Sequence, residues 1–94
     1  MTDTEELLRR IEEALEGVEQ EGGDAFPPLA SVKRQLLWCR AYLRGEGRNG
    51  RPGPFTMGAT AMRELDLYGD NPGLALEVYQ IEREMEGILN GREP

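Results

Sequence analysis

Between Leu74 and Ile88 the apolar residues Leu74, Val78, Ile81, Met85 and Ile88 are spaced 4, 3, 4, 3. That period puts them on one stripe of an α-helix and cannot line one face of a strand. Asn71 supplies a cap, Pro72 suits the first helical position, and Gly91 follows the end at about Asn90. Only two heptads are present, too few for a free coiled coil and enough for one helix of a bundle. Leu76, Tyr79 and Leu89 broaden or flank the stripe.

Three more helical segments share this period, and none reads as a strand. The first spans about Asp3 to Glu19, with Leu7, Leu8, Ile11, Leu15 and Val18 on one face. Thr2 and Glu5 have the spacing of a capping box, and Gly22 and Gly23 end the segment. The second starts at Pro27 and Pro28. Its stripe is Leu29, Val32, Leu36, Cys39 and Leu43, widened by Leu37 and Trp38, and its opposite face carries Lys33, Arg34, Arg40 and Arg44. Trp38 and Tyr42, four apart, should touch. The third runs from Thr56, read as its cap, to about Tyr68, where Gly69 stops it. Phe55 is placed to staple its first turn. Gly58, Ala59 and Ala61 are small enough to admit a neighbouring helix, while Met62 and Leu65 continue the buried side. Between the second and third segments, residues 45–54 hold four glycines and two prolines together with Arg48 and Arg51. They are expected to form a flexible loop. The expected fold is all-α: a compact antiparallel bundle of three to four helices, with residues 1–94 as one domain.

Charge is sharply segregated. Residues 1–24 carry nine acids and two bases, residues 25–63 seven bases and one acid, and residues 64–94 eight acids and two bases. The net charge is −7, which disfavours nucleic acid and anionic membrane as partners and suits a basic protein surface. Some acids should instead be neutralised internally, when the basic second helix packs on its neighbours. No apolar run approaches the ~20 residues that span a bilayer. The acidic start, Met1 to Glu6, lacks the apolar core of a signal peptide. The expected location is the cytoplasm.

The chain contains no histidine and one cysteine. Cys-His and Ser-His nucleophile systems and transition-metal centres therefore cannot be assembled, and no cofactor is expected. Cys39 lies on the apolar stripe, where a structural thiol is the natural reading. Glu12, Glu13 and Glu16, followed by Glu21 and Asp24, resemble fragments of the carboxylate signature of all-α nucleotide pyrophosphatases. The two fragments there occupy facing helices. Here Glu21 follows Glu16 so closely, with Gly22 and Gly23 behind it, that a solvated acidic face is the better account. The chain is not expected to be an enzyme. Trp38 and Tyr42 are of the types that anchor interfaces, but a lone Trp belongs first in the core. Arg63, Glu64, Asp66, Tyr68 and Asp70 cluster about the end of the third helix. Two readings stay open for them: intramolecular ion pairs, for example from Glu64 to Arg34 or Arg40, or an acidic knob that enters a basic cleft of a partner.

Ser31-Val32-Lys33-Arg34-Gln35-Leu36 with an aromatic at Trp38, then Phe55-Thr56-Met57-Gly58, Ala61 and Arg63-Glu64-Leu65-Asp66, then Asp70 and Pro72, resemble a known family. Its members are small helical immunity proteins that neutralise NAD(P)-hydrolysing toxins of the type VI secretion system. The resemblance covers roughly residues 29–79. It departs from the family pattern at Leu65, where a Phe is expected, and in the glycine- and arginine-rich 45–54 stretch. It implies a cognate-toxin antagonist that binds in the cytoplasm of the producing cell and blocks the toxin's active cleft, without turnover. It assigns no contact residue, since partner surfaces vary most within such families. Two other functions remain open: a helical adaptor or antitoxin that forms a homodimer through its apolar seam, and a carboxylate-metal nucleotide hydrolase.

Overall fold

A computed structural model describes residues 3–46 and 54–91. Helix α1 spans Asp3–Gln20, α2 Pro27–Leu43, α3 Met57–Ala61 and α4 Pro72–Leu89. A short 3-10 turn, Gly23–Ala25, links α1 to α2, and α3 continues into a π-helical turn, Met62–Leu67. Among the described residues there is no strand. The protein is an all-α antiparallel bundle, as its periodicity requires.

The ion pairs and close contacts set the helix directions. Glu19 of α1 meets Lys33 of α2, while Glu12, two turns earlier, meets Arg40 at 3.2 Å and Arg44 at 3.0 Å. Gly17 lies against Leu74 at the start of α4, while Arg10 reaches Glu77 at 2.8 Å and Glu84 at 2.6 Å further along it. Both neighbours of α1 thus run opposite to it. The segregated charge is consumed in the assembly, because the basic face of α2 and the acids of α1 neutralise each other across their interface. Exposed pairs of this kind each stabilise by at most about 1 kcal/mol, so their larger effect is on register. Arg10, more enclosed, is held above the ordinary arginine value by the hydrogen bonds it donates to Glu77 and then Glu84, outweighing the opposing effect of burial.

One apolar core joins all four helices. Leu7, Ile11, Ala14, Leu15 and Val18 of α1 pack with Leu29, Val32, Leu36 and Cys39 of α2, with Phe55, Met57, Ala61 and Leu65, and with Ala75, Val78, Ile81 and Met85 of α4. Burial of each large aliphatic side chain contributes about 1.5–3 kcal/mol, and this term dominates the fold. Cys39 is buried in this core, with the place expected of a structural thiol. Trp38 stacks on Tyr42, with ring centroids 5.3 Å apart, and takes the edge of Phe55 at 6.0 Å. Phe55 therefore anchors its segment to α2. The chain leaves α1 through Gly22 and Gly23, whose φ values of 125° and 50° favour glycine. Asn71 caps α4 as expected, accepting a hydrogen bond from Leu74 N–H at 3.3 Å, and its Nδ2 donates to Glu21 at 2.9 Å.

Three expectations are corrected. Ile88 does not complete the seam: it is 41% exposed, and the α4 core stripe is Ala75, Val78, Ile81 and Met85. The third helix is not one regular α-helix to Tyr68, because its second half widens into the π turn. Thr56 does not cap it with its own hydroxyl. Gln35 does so from α2: its Oε1 accepts from Thr56 N–H at 2.9 Å and Met57 N–H at 3.0 Å, while its Nε2 donates to Thr56 Oγ1 at 3.0 Å. The Thr2 capping box and most of the 45–54 loop, residues 47–53, lie outside the described residues.

The cap from Gln35 carries an energetic expectation. Gln35→Ala removes four hydrogen bonds, the fourth donated by Nε2 to Ser31 Oγ at 3.1 Å, and leaves the Thr56 and Met57 N–H groups without this acceptor, at a cost of about 1–2 kcal/mol. Urea denaturation followed by circular dichroism should show the midpoint fall, with the slope unchanged. An unaltered midpoint would mean that water replaces the side chain without loss.

Candidate functional site

Helix α3 is too short to hold itself together, since helices below ~12 residues are marginal in isolation. Its N-terminal amide groups are instead held by side chains of its two neighbours. Gln35 takes those of Thr56 and Met57, and the Glu82 carboxylate of α4 accepts from Gly58 N–H at 2.6 Å. A carboxylate suits this position, where unpaired N–H groups make the helix end partly positive. Gly58 permits the contact: a Cβ there would stand 3.3 Å from the Tyr79 Cα and 2.9 Å from the Glu82 carboxylate. Gly58 and Ala61 face the bundle as their size predicts, whereas Ala59 is exposed.

Beyond Ala61 the helix widens. Tyr68 N–H donates to Arg63 C=O at 2.9 Å, a five-residue step instead of four. The wider turn keeps Leu65 in the core, 3% exposed, while the following residues swing outward. Leu67 and Tyr68 are 71% and 72% exposed, the most solvent-facing large apolar residues among those described. Asp66, Gly69 and Asp70 are exposed beside them. The chain then folds back tightly, with Asn71 N–H donating to Leu65 C=O at 2.8 Å. A Cβ on Gly69 would collide with the Glu64 carbonyl oxygen and stand 2.9 Å from the Leu65 Cα. Gly69 is thus required by backbone proximity. π turns inside helices recur at functional sites, where they re-aim side chains.

The five residues singled out by sequence separate into two groups. Asp66, Tyr68 and Asp70 form an outward knob, and neither aspartate has an ion pair among the described residues. Arg63 and Glu64 pair with each other at 2.8 Å, with Glu64 only 15% exposed in its side chain. The expected bridge from Glu64 to Arg34 or Arg40 is absent, because Arg40 is taken by Glu12 on the other side of α2. Glu64 therefore serves the base of the knob and not its tip. Sequence reasoning missed Leu67. Its signal was present: an apolar side chain off the buried stripe, beside a Tyr and just before a Gly.

The remaining acids offer no second constellation. Glu12 is engaged by two guanidinium groups, Glu19 and Asp24 by Lys33, and Glu6 and Glu13 by Arg9. Lys33 is held above its ordinary 10.5 by Glu19 first and Asp24 second. Glu6 is held below 4.5, chiefly by its hydrogen bond from Arg9. Among the described residues no three Cys, Asp or Glu side chains are grouped to hold a metal ion. Nor is any helix among them long and apolar enough to cross a membrane.

Two glycines near the knob should respond oppositely to the same substitution. Gly69→Ala forces backbone against backbone and should destabilise by about 1–3 kcal/mol. Gly73→Ala, in the first turn of α4 with open space around it, should be neutral or stabilise by up to about 1 kcal/mol. Thermal melts of the two variants check this, and equal melting temperatures would remove the steric account of the turn.

Comparisons with protein-family models, with curated proteins and with solved structures returned no match.

Proposed function

We propose that this chain is an immunity protein that binds a cognate secreted toxin and blocks its active cleft. The observation that carries this reading is the knob itself. A π turn, clamped at its root by Gln35 and Glu82, holds Leu67 and Tyr68 out in solvent between the exposed Asp66 and Asp70. A tyrosine side chain has few torsions to lose on docking, and tyrosine is enriched among residues that dominate binding energy. Carboxylates with no ion pair among the described residues complement a positively charged cleft of the kind that holds NAD or nucleotide phosphates. They also speed encounter through long-range attraction. The sequence resemblance over residues 29–79 points to the same role, antagonism without turnover. The cytoplasm of the producing cell is where such a protein would meet its toxin.

The other functions fit the geometry less well. A homodimer built on the apolar seam of α4 would need Val78, Ile81 and Met85, and all three are spent inside the bundle. A carboxylate-metal hydrolase would need Glu12, whose oxygens are taken by Arg40 and Arg44.

The test is co-expression with the proposed cognate toxin, combined with calorimetric titration of the purified pair. The wild-type chain should rescue growth and bind the toxin. Tyr68→Ala should weaken binding at least about thirtyfold, and Asp66→Lys or Asp70→Lys about tenfold, with the circular dichroism melts unchanged. Unfolding of the aspartate variants would make these acids structural. Undiminished binding by all three variants would move the interface elsewhere.

A further inference from the structure

The described residues hold two asparagines, Asn71 and Asn90, and the fold treats them differently. Asn71 has both ends of its amide engaged: Oδ1 accepts from Leu74 N–H at 3.3 Å, and Nδ2 donates to Glu21 at 2.9 Å. Pro72 follows it and has no N–H. Asn90, at the end of α4, is exposed, and its side-chain amide makes no hydrogen bond among the described residues. Gly91 follows it, also exposed, with a φ of 65° and no neighbouring atom within 4 Å of the place a Cβ would take. No side chain on Gly91 therefore shields its nitrogen from the Asn90 carboxamide.

That juxtaposition has a chemical consequence. We propose that Asn90 is a site of spontaneous covalent modification, with water as the only co-reactant. The Gly91 nitrogen gives its proton to hydroxide and bonds to Asn90 Cγ. The Cγ–Nδ2 bond then breaks, and ammonia leaves with a proton returned from water. The five-membered imide so formed is opened by water at either carbonyl. Cleavage of the new N–Cγ bond leaves an aspartate. Cleavage of the original peptide bond leaves an isoaspartate, whose backbone runs through one extra carbon.

The fold sets the rate. In the closed helix end Asn90 N–H donates to Glu86 C=O at 3.0 Å and Gly91 N–H to Ile88 C=O at 3.2 Å, with Asn90 at a ψ of 4°. The reacting N–H is occupied there, so ring closure waits for the last turn to open. Helix ends open at a small fraction of the cost of global unfolding. Either product puts a carboxylate at the carbonyl end of α4, whose last turn carries no base, so charge and helix dipole repel. Isoaspartate also shifts the chain out of the register that the closing hydrogen bonds need. Modification thus favours the open turn that admits it, and the lost ammonia makes the change one-way. This inference does not depend on the knob or on any partner.

The test is ageing of the purified full chain in mildly alkaline buffer at physiological temperature, both folded and in urea. Cleavage after arginine and mass spectrometry follow. The peptide of residues 84–92 reports Asn90, and the other Asn-Gly pair, Asn49-Gly50, falls on a separate peptide. The folded chain should yield two new forms of the 84–92 peptide, each one dalton heavier and separable by chromatography. In urea, where the last turn is already open, both should accumulate severalfold faster. Asn90→Gln should abolish them, because glutamine must close a six-membered ring. Gly91→Ala should slow them severalfold in urea, where the strain of a left-handed alanine is absent and only the added methyl group differs. Four results would overturn the proposal: an 84–92 peptide that keeps its mass, a mass gain confined to Asn49, a folded chain that ages as fast as the unfolded one, or a Gly91→Ala chain that ages like the wild type.

Discussion

The structure depends on one side chain reaching across a gap in sequence. Gln35, in the middle of α2, grips the amide groups of Thr56 and Met57, the capping and first residues of a five-residue helix that could not persist alone. The Glu82 carboxylate takes the next from the other side. Between them α3 is fixed to both long neighbours before its own apolar residues contribute. Everything beyond it inherits that fixation: the π turn, the outward Leu67 and Tyr68, and the reversal at Gly69 into α4. A neutral amide and a carboxylate do separate work here. The amide can both accept and donate, so it holds Thr56 at two points, while the carboxylate adds charge where the helix end is partly positive.

The charge pattern has a similar double use. Three of the four bases on the basic face of α2, Lys33, Arg40 and Arg44, pair with Glu12, Glu19 and Asp24, while Arg34 is exposed. Arg10 binds α4 to α1 in the same manner. Around the knob, the charges that reach solvent without an ion pair among the described residues are acids, Asp66 and Asp70. Pairing Arg9, Arg10, Lys33, Arg40 and Arg44 with acids relieves part of the internal repulsion that a net charge of −7 would otherwise impose.

Most of the bundle was legible in the sequence because helix period, proline and glycine act locally. Pro27, Pro72, Gly22 and Gly91 mark boundaries by their own backbone preferences, and Trp38 and Tyr42 meet because four residues make one helical turn. The third segment was read less well, for a physical reason. Its cap comes from a residue 21 positions away, and no local pattern announces that Gln35 will stand opposite Thr56. The π turn is likewise invisible to a 3.6-residue period, so Leu67 went unnoticed and Glu64 was given a partner on the wrong helix. Ile88 fits the heptad perfectly, yet it lies beyond the last layer that other helices cover. Seen together, the residues that carry the family resemblance have structural work: Gln35 clamps, Thr56 is clamped, and Gly58 lets α4 approach. The knob's chemistry sits just beyond them, on the side chains that the clamp displays.

Amide hydrogen exchange, on the chain alone and in the presence of the toxin proposed as its partner, tests the central claim most directly. Binding through the clamped knob predicts new protection concentrated over residues 62–70, with the core of α1 and α2 protected equally in both states. Protection that appears only on the outer faces of α1 and α2, while residues 62–70 exchange as fast as in the free chain, would contradict it.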